Sequence, residues 1–341
     1  MNVDFIIVGQ GLAGTLLASA LEEIGKTFIV IDDLNRFAAS RQAAGIINPI
    51  TGRRFVKSWN YDELEKNFVK FYTRQNQKLN QTVFSEHEIL LCLSSVKEEN
   101  DLLAQASRYE YSNKISYIPF PSTLVSGNRS AVYSLQGYKL NIAGMCDAFR
   151  DSWTNQGIVR NEPFDYNQVF DGNKIHYKGI KAGAVVFCEG AFINQNPYFH
   201  QAPVIPNKGQ FMLIEKESWK ESFSIKDKII VSPVRDRLWV GATYEWEFDS
   251  LEPDLRGRVE LTAQLDKLIK SPYSVKEVLS GIRPTTKNRR PLILRHPVHS
   301  NLWAVNGFGT KGSSLGPYVI NQFLGIYFEG HENKFDPSNE N

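Results

Sequence analysis

The chain has 341 residues, 42% of them hydrophobic and 22% charged, the balance of an ordinary globular protein long enough for two domains. A net charge of +2 provides no electrostatic footprint for nucleic acid or an anionic membrane, and no run of eighteen apolar residues offers a membrane span. Cys92, Cys146 and Cys188 lie far apart, and the six histidines show no metal-ligand spacing, so a reducing, cytoplasmic setting and no metal site are expected.

The chain opens on an apolar run, Asp4-Phe5-Ile6-Ile7-Val8, followed by Gly9-Gln10-Gly11-Leu12-Ala13-Gly14. A second apolar run from Thr27 to Ile31 ends on Asp32, 23 positions after Gly9, with Asp33 next. This order is strand, tight turn, helix, strand and acid, the unit that holds a dinucleotide. Gly9 permits the tight turn, Gly11 leaves room for a pyrophosphate, and Gly14 lets the helix pack against the strand. Leu12 and Ala13 begin that helix, whose free N–H groups and positive dipole end suit phosphates. Asp32 is placed to accept hydrogen bonds from the ribose hydroxyls. Leu17, Ala18, Leu21 and Ile24 recur at helical spacing, and Gly25 stops the helix.

Residues 36–60 carry no helical pattern; 38–49 are small and turn-rich, followed by Arg53, Arg54 and Lys57, a basic run able to steer an anionic substrate or simply to face solvent. Segment 61–80 reads as a helix with Leu64, Phe68, Phe71 and Tyr72 on one face. Strands are expected at 83–84 and 89–93, then a helix at 97–107 and another at 142–156 ended by Gly157. Further strands are expected at 158–164, 174–178 and 184–188, the last apolar enough to be buried on both faces and leading into Glu189-Gly190. Strand patterns return at 211–214, 229–231 and 238–242, with a helix at 255–270. Tyr244, Trp246 and Phe248 alternate after the 238–242 strand and either wall a cavity or simply pack.

Four separated stretches resemble the FAD-dependent amine and amino-acid oxidoreductases of the D-amino-acid oxidase superfamily, in particular its glycine- and sarcosine-oxidase branch. They are the opening glycine motif with Asp32, the turn from Ser40 to Gly45, the strand end from Val185 to Ala191, and Gly281-Ile282-Arg283-Pro284-Thr285-Thr286 with the later glycine-rich turn from Asn306 to Pro317. Val240-Gly241-Ala242-Thr243-Tyr244-Glu245 is also similar to a family strand.

The resemblance implies an α/β protein with a Rossmann-like FAD-binding domain interleaved with a β-rich substrate domain of mixed sheet and helices. The first comprises 1–75, 141–200 and 281–330; the second 76–140 and 201–280; residues 331–341 are a flexible tail. It implies non-covalent FAD near Ser40, Arg41, Gln42, Ala44, Gly45 and Ile46, near Phe164, Glu189 and Gly190, and near Gly307, Gly309, Gly312, Ser313 and Ser314. Lys311 would add positive charge beside the flavin. Arg283 would receive a substrate carboxylate, since its fork binds two oxygens at once.

Two anchors depart from the glycine-oxidase pattern. The position 27 residues after Arg283, an arginine in that branch, is Thr310, and the tyrosine on the strand before Pro233 is replaced by Ile230. The implied activity is oxidation of a C–N bond in a small amine or amino acid, with oxygen or another electron acceptor. The alternatives are a dehydrogenase or tRNA-modification-type enzyme acting on a larger secondary amine, and an inactive flavin-binding protein.

Overall fold

The computed structural model describes residues 1–337 except 53, 109–112, 122–123, 128, 173, 216–218, 220 and 271. Arg53 therefore lies outside the described residues.

Two sheets organise the chain. The first has eight strands around a parallel centre in which Asn2–Val8 lies between Phe28–Ile31 and Ile180–Phe187. Leu302–Asn306 adds a further parallel strand beside Ile180–Phe187. Phe5 to Val8 and Ala184 to Phe187 are buried throughout, as strands covered on both faces must be. Helices Leu12–Glu23 and Gly312–Glu329 pack together on one side. Their contact is close: a Cβ on Gly316 would lie 2.4 Å from Leu16 Cδ1.

The second sheet has nine strands in the order Val275–Thr285, Ile205–Glu215, Arg237–Gly241, Ile230–Val234, Ser224–Lys226, Phe84–Leu93, Ala131–Leu140 and Ile46–Ile47, with Ile115–Tyr117 beside Ala131–Leu140. Its pairings are antiparallel apart from Ser224–Lys226 with Phe84–Leu93. Helix Tyr61–Leu79 buries Leu64, Phe68, Phe71 and Tyr72 as its spacing predicts. Acidic Asp62 and Glu63 sit in its first turn and Lys78 in its last, matching the helix dipole.

Several local expectations change. Residues 39–42, read as non-helical, form one helical turn, Ala39–Gln42. The strand expected over 158–164 shrinks to Val159–Arg160. Ala131–Leu140 was not anticipated, because Gln136, Gly137 and Lys139 interrupt its apolar alternation. The start of the expected flexible tail is packed: Phe335 is buried, its ring 6.1 Å from that of Tyr318, and Asn333 Nδ2 donates to the Ile293 carbonyl at 2.8 Å. Among the described residues no helix is long and apolar enough to cross a membrane.

Candidate active site

A cavity of about 600 Å³ is bounded by residues of both sheets. One end is built by the opening strand–turn–helix. Gly9 has φ +94°, a conformation open to glycine, and a Cβ there would lie 2.6 Å from the Cys188 carbonyl oxygen. Gly14 does not line the cavity; it brings the helix against the turn, since a Cβ would stand 1.9 Å from the Gly9 carbonyl oxygen. Gly11, Leu12 and Ala13 do line it. The helix has no side-chain cap from Gly11; instead Leu12 N–H donates to Ser40 Oγ at 2.8 Å, so the one-turn helix and the first long helix meet at the cavity wall.

Asp32 also lines the cavity, and it is held from three sides. Its Oδ1 accepts from Gln10 N–H at 2.8 Å, and its Oδ2 accepts from Leu34 N–H at 3.1 Å and from Arg150 Nη1 at 2.7 Å. Arg150 is buried and donates in addition to Gln10 Oε1 at 2.6 Å and to Asn161 Oδ1. Sequence reading missed Arg150, which lies on helix Ile142–Asn155, 118 residues from its partner. A charged residue between Phe149 and the apolar position Trp153 was the available signal.

Asp33, Ala44, Gly45, Ile46 and Phe164 all line the cavity, together with Arg41 and Gln42. Arg41 pairs through Nη1 with Asp147, while its Nη2 is buried without a hydrogen-bond partner. An orphaned guanidinium N–H beside an open helix start fits an anionic group at this wall. Gln42 is less free than expected, because its Nε2 donates to the Arg36 carbonyl at 2.7 Å.

Glu189 and Gly190 lie on the cavity wall, below Asn306, whose Nδ2 donates to the Gly190 carbonyl at 2.9 Å. The Glu189 carboxylate turns away to accept from Tyr166 Oη and from Asn196 Nδ2, the latter at 2.8 Å. Burial pushes its pKa up from 4.5 to about 7, and the two donated hydrogen bonds only partly oppose this. The folded state therefore favours the protonated acid. Its stabilising contribution is complete below about pH 4.5 and is lost as pH rises through 7, amounting to about 3 kcal/mol at most. Glu189→Gln should flatten the fall in melting temperature between pH 5 and pH 8; an unchanged slope would refute this assignment.

The C-terminal glycine turn contributes Gly309, Thr310, Gly312 and Ser313 to the lining. Gly307, Lys311 and Ser314 stand behind it. Gly307 has φ +76° and packs against Thr286 and Arg290, and Ser314 Oγ bonds back to the Lys311 carbonyl. Lys311 Nζ donates to Ser58 Oγ at 2.6 Å rather than entering the cavity. Burial, with Lys226 and Arg289 nearby, lowers the Lys311 pKa to about 8. Of the basic run, Arg54 and Lys57 do not line the cavity, and Lys57 pairs with Asp62.

Arg283 occupies the second sheet's side of the cavity. Its Nη1 donates to Asn207 Oδ1 at 2.6 Å and to the Thr243 carbonyl at 3.1 Å, and its guanidinium carbon stands 4.4 Å from the centre of the Tyr244 ring. Gly209 makes this posture possible, since a Cβ there would lie 2.1 Å from Arg283 Nη2. Among the described residues Nε and Nη2 have no hydrogen-bond partner, so two donors of the fork remain for a ligand. Tyr244 lines the cavity and Trp246 does not; Trp246 faces solvent. The position of the absent family tyrosine, Ile230, is on the wall, and Lys226 beside it is a lining residue that sequence reading did not single out.

The glycine turn, the helix start and the held acid suit a dinucleotide. The profile of the FAD dependent oxidoreductase family matches residues 4–319. The chain is 24% identical to the uncharacterized oxidoreductase YurR of Bacillus subtilis (strain 168), over 93% of this chain and 92% of that protein. Its fold is similar to glycine oxidase from Geobacillus kaustophilus, with a TM-score of 0.82 at 17% identity over 98% of this chain and 96% of that one. It is also similar to iminodiacetate oxidase from Chelativorans sp. BNC1, with a TM-score of 0.78 at 18% identity over 98% of both chains. The chain belongs to the FAD-dependent oxidoreductase family, and its cofactor is FAD. The orphaned Arg41 donor, the close-approach glycines and the Asp32 carboxylate fit that dinucleotide.

Proposed function

We propose that the protein oxidises a C–N bond of an amino acid or amine, with Arg283 receiving a substrate carboxylate. The observation that carries this reading is the Arg283 fork: fixed by Asn207, Thr243 and Tyr244, it keeps Nε and Nη2 without a partner among the described residues, in a wall that Gly309, Thr310 and Ser313 also line. A guanidinium held on one side and open on the other orients a carboxylate without reorganising. The similar enzymes that act on glycine and on iminodiacetate support the same class.

When bound, FAD supplies a two-electron acceptor that takes hydride from the carbon next to nitrogen. Loss of that hydride and of one proton from nitrogen leaves a C=N bond, which water opens to a carbonyl compound and ammonia or, from a secondary amine, a primary amine. Oxygen or another acceptor then removes the electrons. The chain's part is orientation, charge and exclusion of bulk water.

FAD is held non-covalently in this reading. Cys188 is the one cysteine among the described residues that lines the cavity, and burial pushes its thiol well above the ordinary range, which suppresses the nucleophilic thiolate.

Anaerobic titration with glycine, sarcosine, D- and L-amino acids and secondary amines tests this reading. One class should bleach the flavin absorbance, and Arg283→Gln should raise the half-saturating concentration of that class by about 10- to 100-fold. Acid precipitation of the same protein should release the colour to the supernatant. A yellow protein that no amine bleaches would remove the proposed activity.

A further inference from the structure

Besides Arg283, the cavity wall carries Arg41, Lys226 and Lys228, and of these Lys226 is a cation that the carboxylate role of Arg283 does not use. Lys226 lines it from strand Ser224–Lys226, and among the described residues its ammonium makes no hydrogen bond or ion pair. Its neighbour Asp227 does not neutralise it, because that carboxylate is tied to Arg129 Nη1 at 2.7 Å. Burial lowers the Lys226 pKa to about 8.

Strand register puts Lys226 and Arg283 on one wall. Lys226 pairs with Ile230, Ile230 with Gly241, and Gly241 with Phe211. Directly paired residues share a face, so these four form a row across the sheet, and Gly209 lies two residues along from Phe211 on that same face. The Arg283 guanidinium rests against Gly209. Three strand spacings, roughly 14 Å, therefore separate the Lys226 backbone from the strand beneath the guanidinium. The floor between is Ile230, Gly241 and Phe211, with no carboxylate among them.

We propose that the substrate is an amine carrying two carboxylates, one received by Arg283 and the other, several bonds away, by Lys226. This rests on the amine-oxidising reading and narrows it. A simple α-amino acid has one carboxylate beside the reacting carbon and reaches only one of the two cations. The loss of the family tyrosine at Ile230 belongs to the same picture: the aliphatic side chain leaves the wall open between the charges, where a phenol would occupy it.

Ligand binding to the FAD-loaded protein tests the inference without turnover. Heptanedioate and heptanoate are titrated while the flavin spectrum is followed. Heptanedioate should bind about tenfold or more tightly than heptanoate, the advantage of one added charge-assisted contact. Lys226→Met should remove that advantage while heptanoate binding and flavin content stay unchanged, and Lys226→Arg should keep most of it. Equal affinities in the parent protein, an advantage that survives Lys226→Met, or loss of flavin from that variant would each overturn the proposal. If no amine bleaches the flavin while the heptanedioate advantage holds, the amine-oxidising reading fails and the two-cation site stands.

Discussion

Gly14→Ala is expected to emerge from purification nearly colourless and destabilised by about 3 kcal/mol. The added methyl would stand 1.9 Å from the Gly9 carbonyl oxygen, and it meets backbone rather than a side chain that could turn aside. Gly9 is itself fixed by its N–H donating to the Ile31 carbonyl at 2.9 Å, beside the Cys188 backbone. Relief therefore requires helix Leu12–Glu23 to move off the sheet, carrying its open N–H groups out of line with the phosphates. Flavin content per chain and the melting temperature report the two consequences separately. A variant that keeps both would show that the close approach is unimportant.

Arg150→Met should cost about 3–5 kcal/mol, the range for removing one partner of a buried ion pair. Only 8% of the Arg150 side chain and 14% of the Asp32 side chain remain exposed, so water cannot take the place of the guanidinium. Methionine fills much of the volume but leaves Asp32 Oδ2, Gln10 Oε1 and Asn161 Oδ1 short of a donor. Urea unfolding gives the size of the loss. On the reading that Asp32 receives the ribose hydroxyls, FAD affinity should fall as well, since that acid loses one of its three supports. Pairing the change with Asp32→Asn should restore part of the stability and none of the affinity. A loss below about 1 kcal/mol would mean that the two backbone N–H groups alone hold the carboxylate.

The opening unit was legible because every cue in it is local: two apolar runs, three glycines and an acid within 32 residues. Helix Tyr61–Leu79 was legible for the same reason. The far wall of the cavity was not. Lys226 gains its meaning from pairing with Ile230 and, through two further strands, from Phe211, and no periodicity within Ser224–Lys226 announces that. Arg150 likewise reads as one more polar helix residue until Asp32, 118 positions away, lies beside it. Strand Val275–Thr285 was seen as a motif, because Gly281, Arg283 and Pro284 break the alternation expected of a strand. Lys311 stands behind the wall for a different reason. It is next to the glycine turn in sequence, but a long flexible stem can leave a wall for any nearby acceptor, and Ser58 supplies one.

The contact between the first and last long helices sets an order of events during synthesis. Strand Asn2–Val8 and helix Leu12–Glu23 leave the ribosome well before Gly312 and Ser313, which complete the wall above Leu12 and are translated some three hundred residues later. At 5–20 residues per second, roughly, that is an interval of about 15 to 60 seconds. Throughout it, the side of Leu16 that Gly316 will cover faces solvent or a chaperone. The nascent glycine turn is complete early, but the cavity it lines closes only after Gly312 and Ser313 have been made, which makes closure of that wall a late step of assembly.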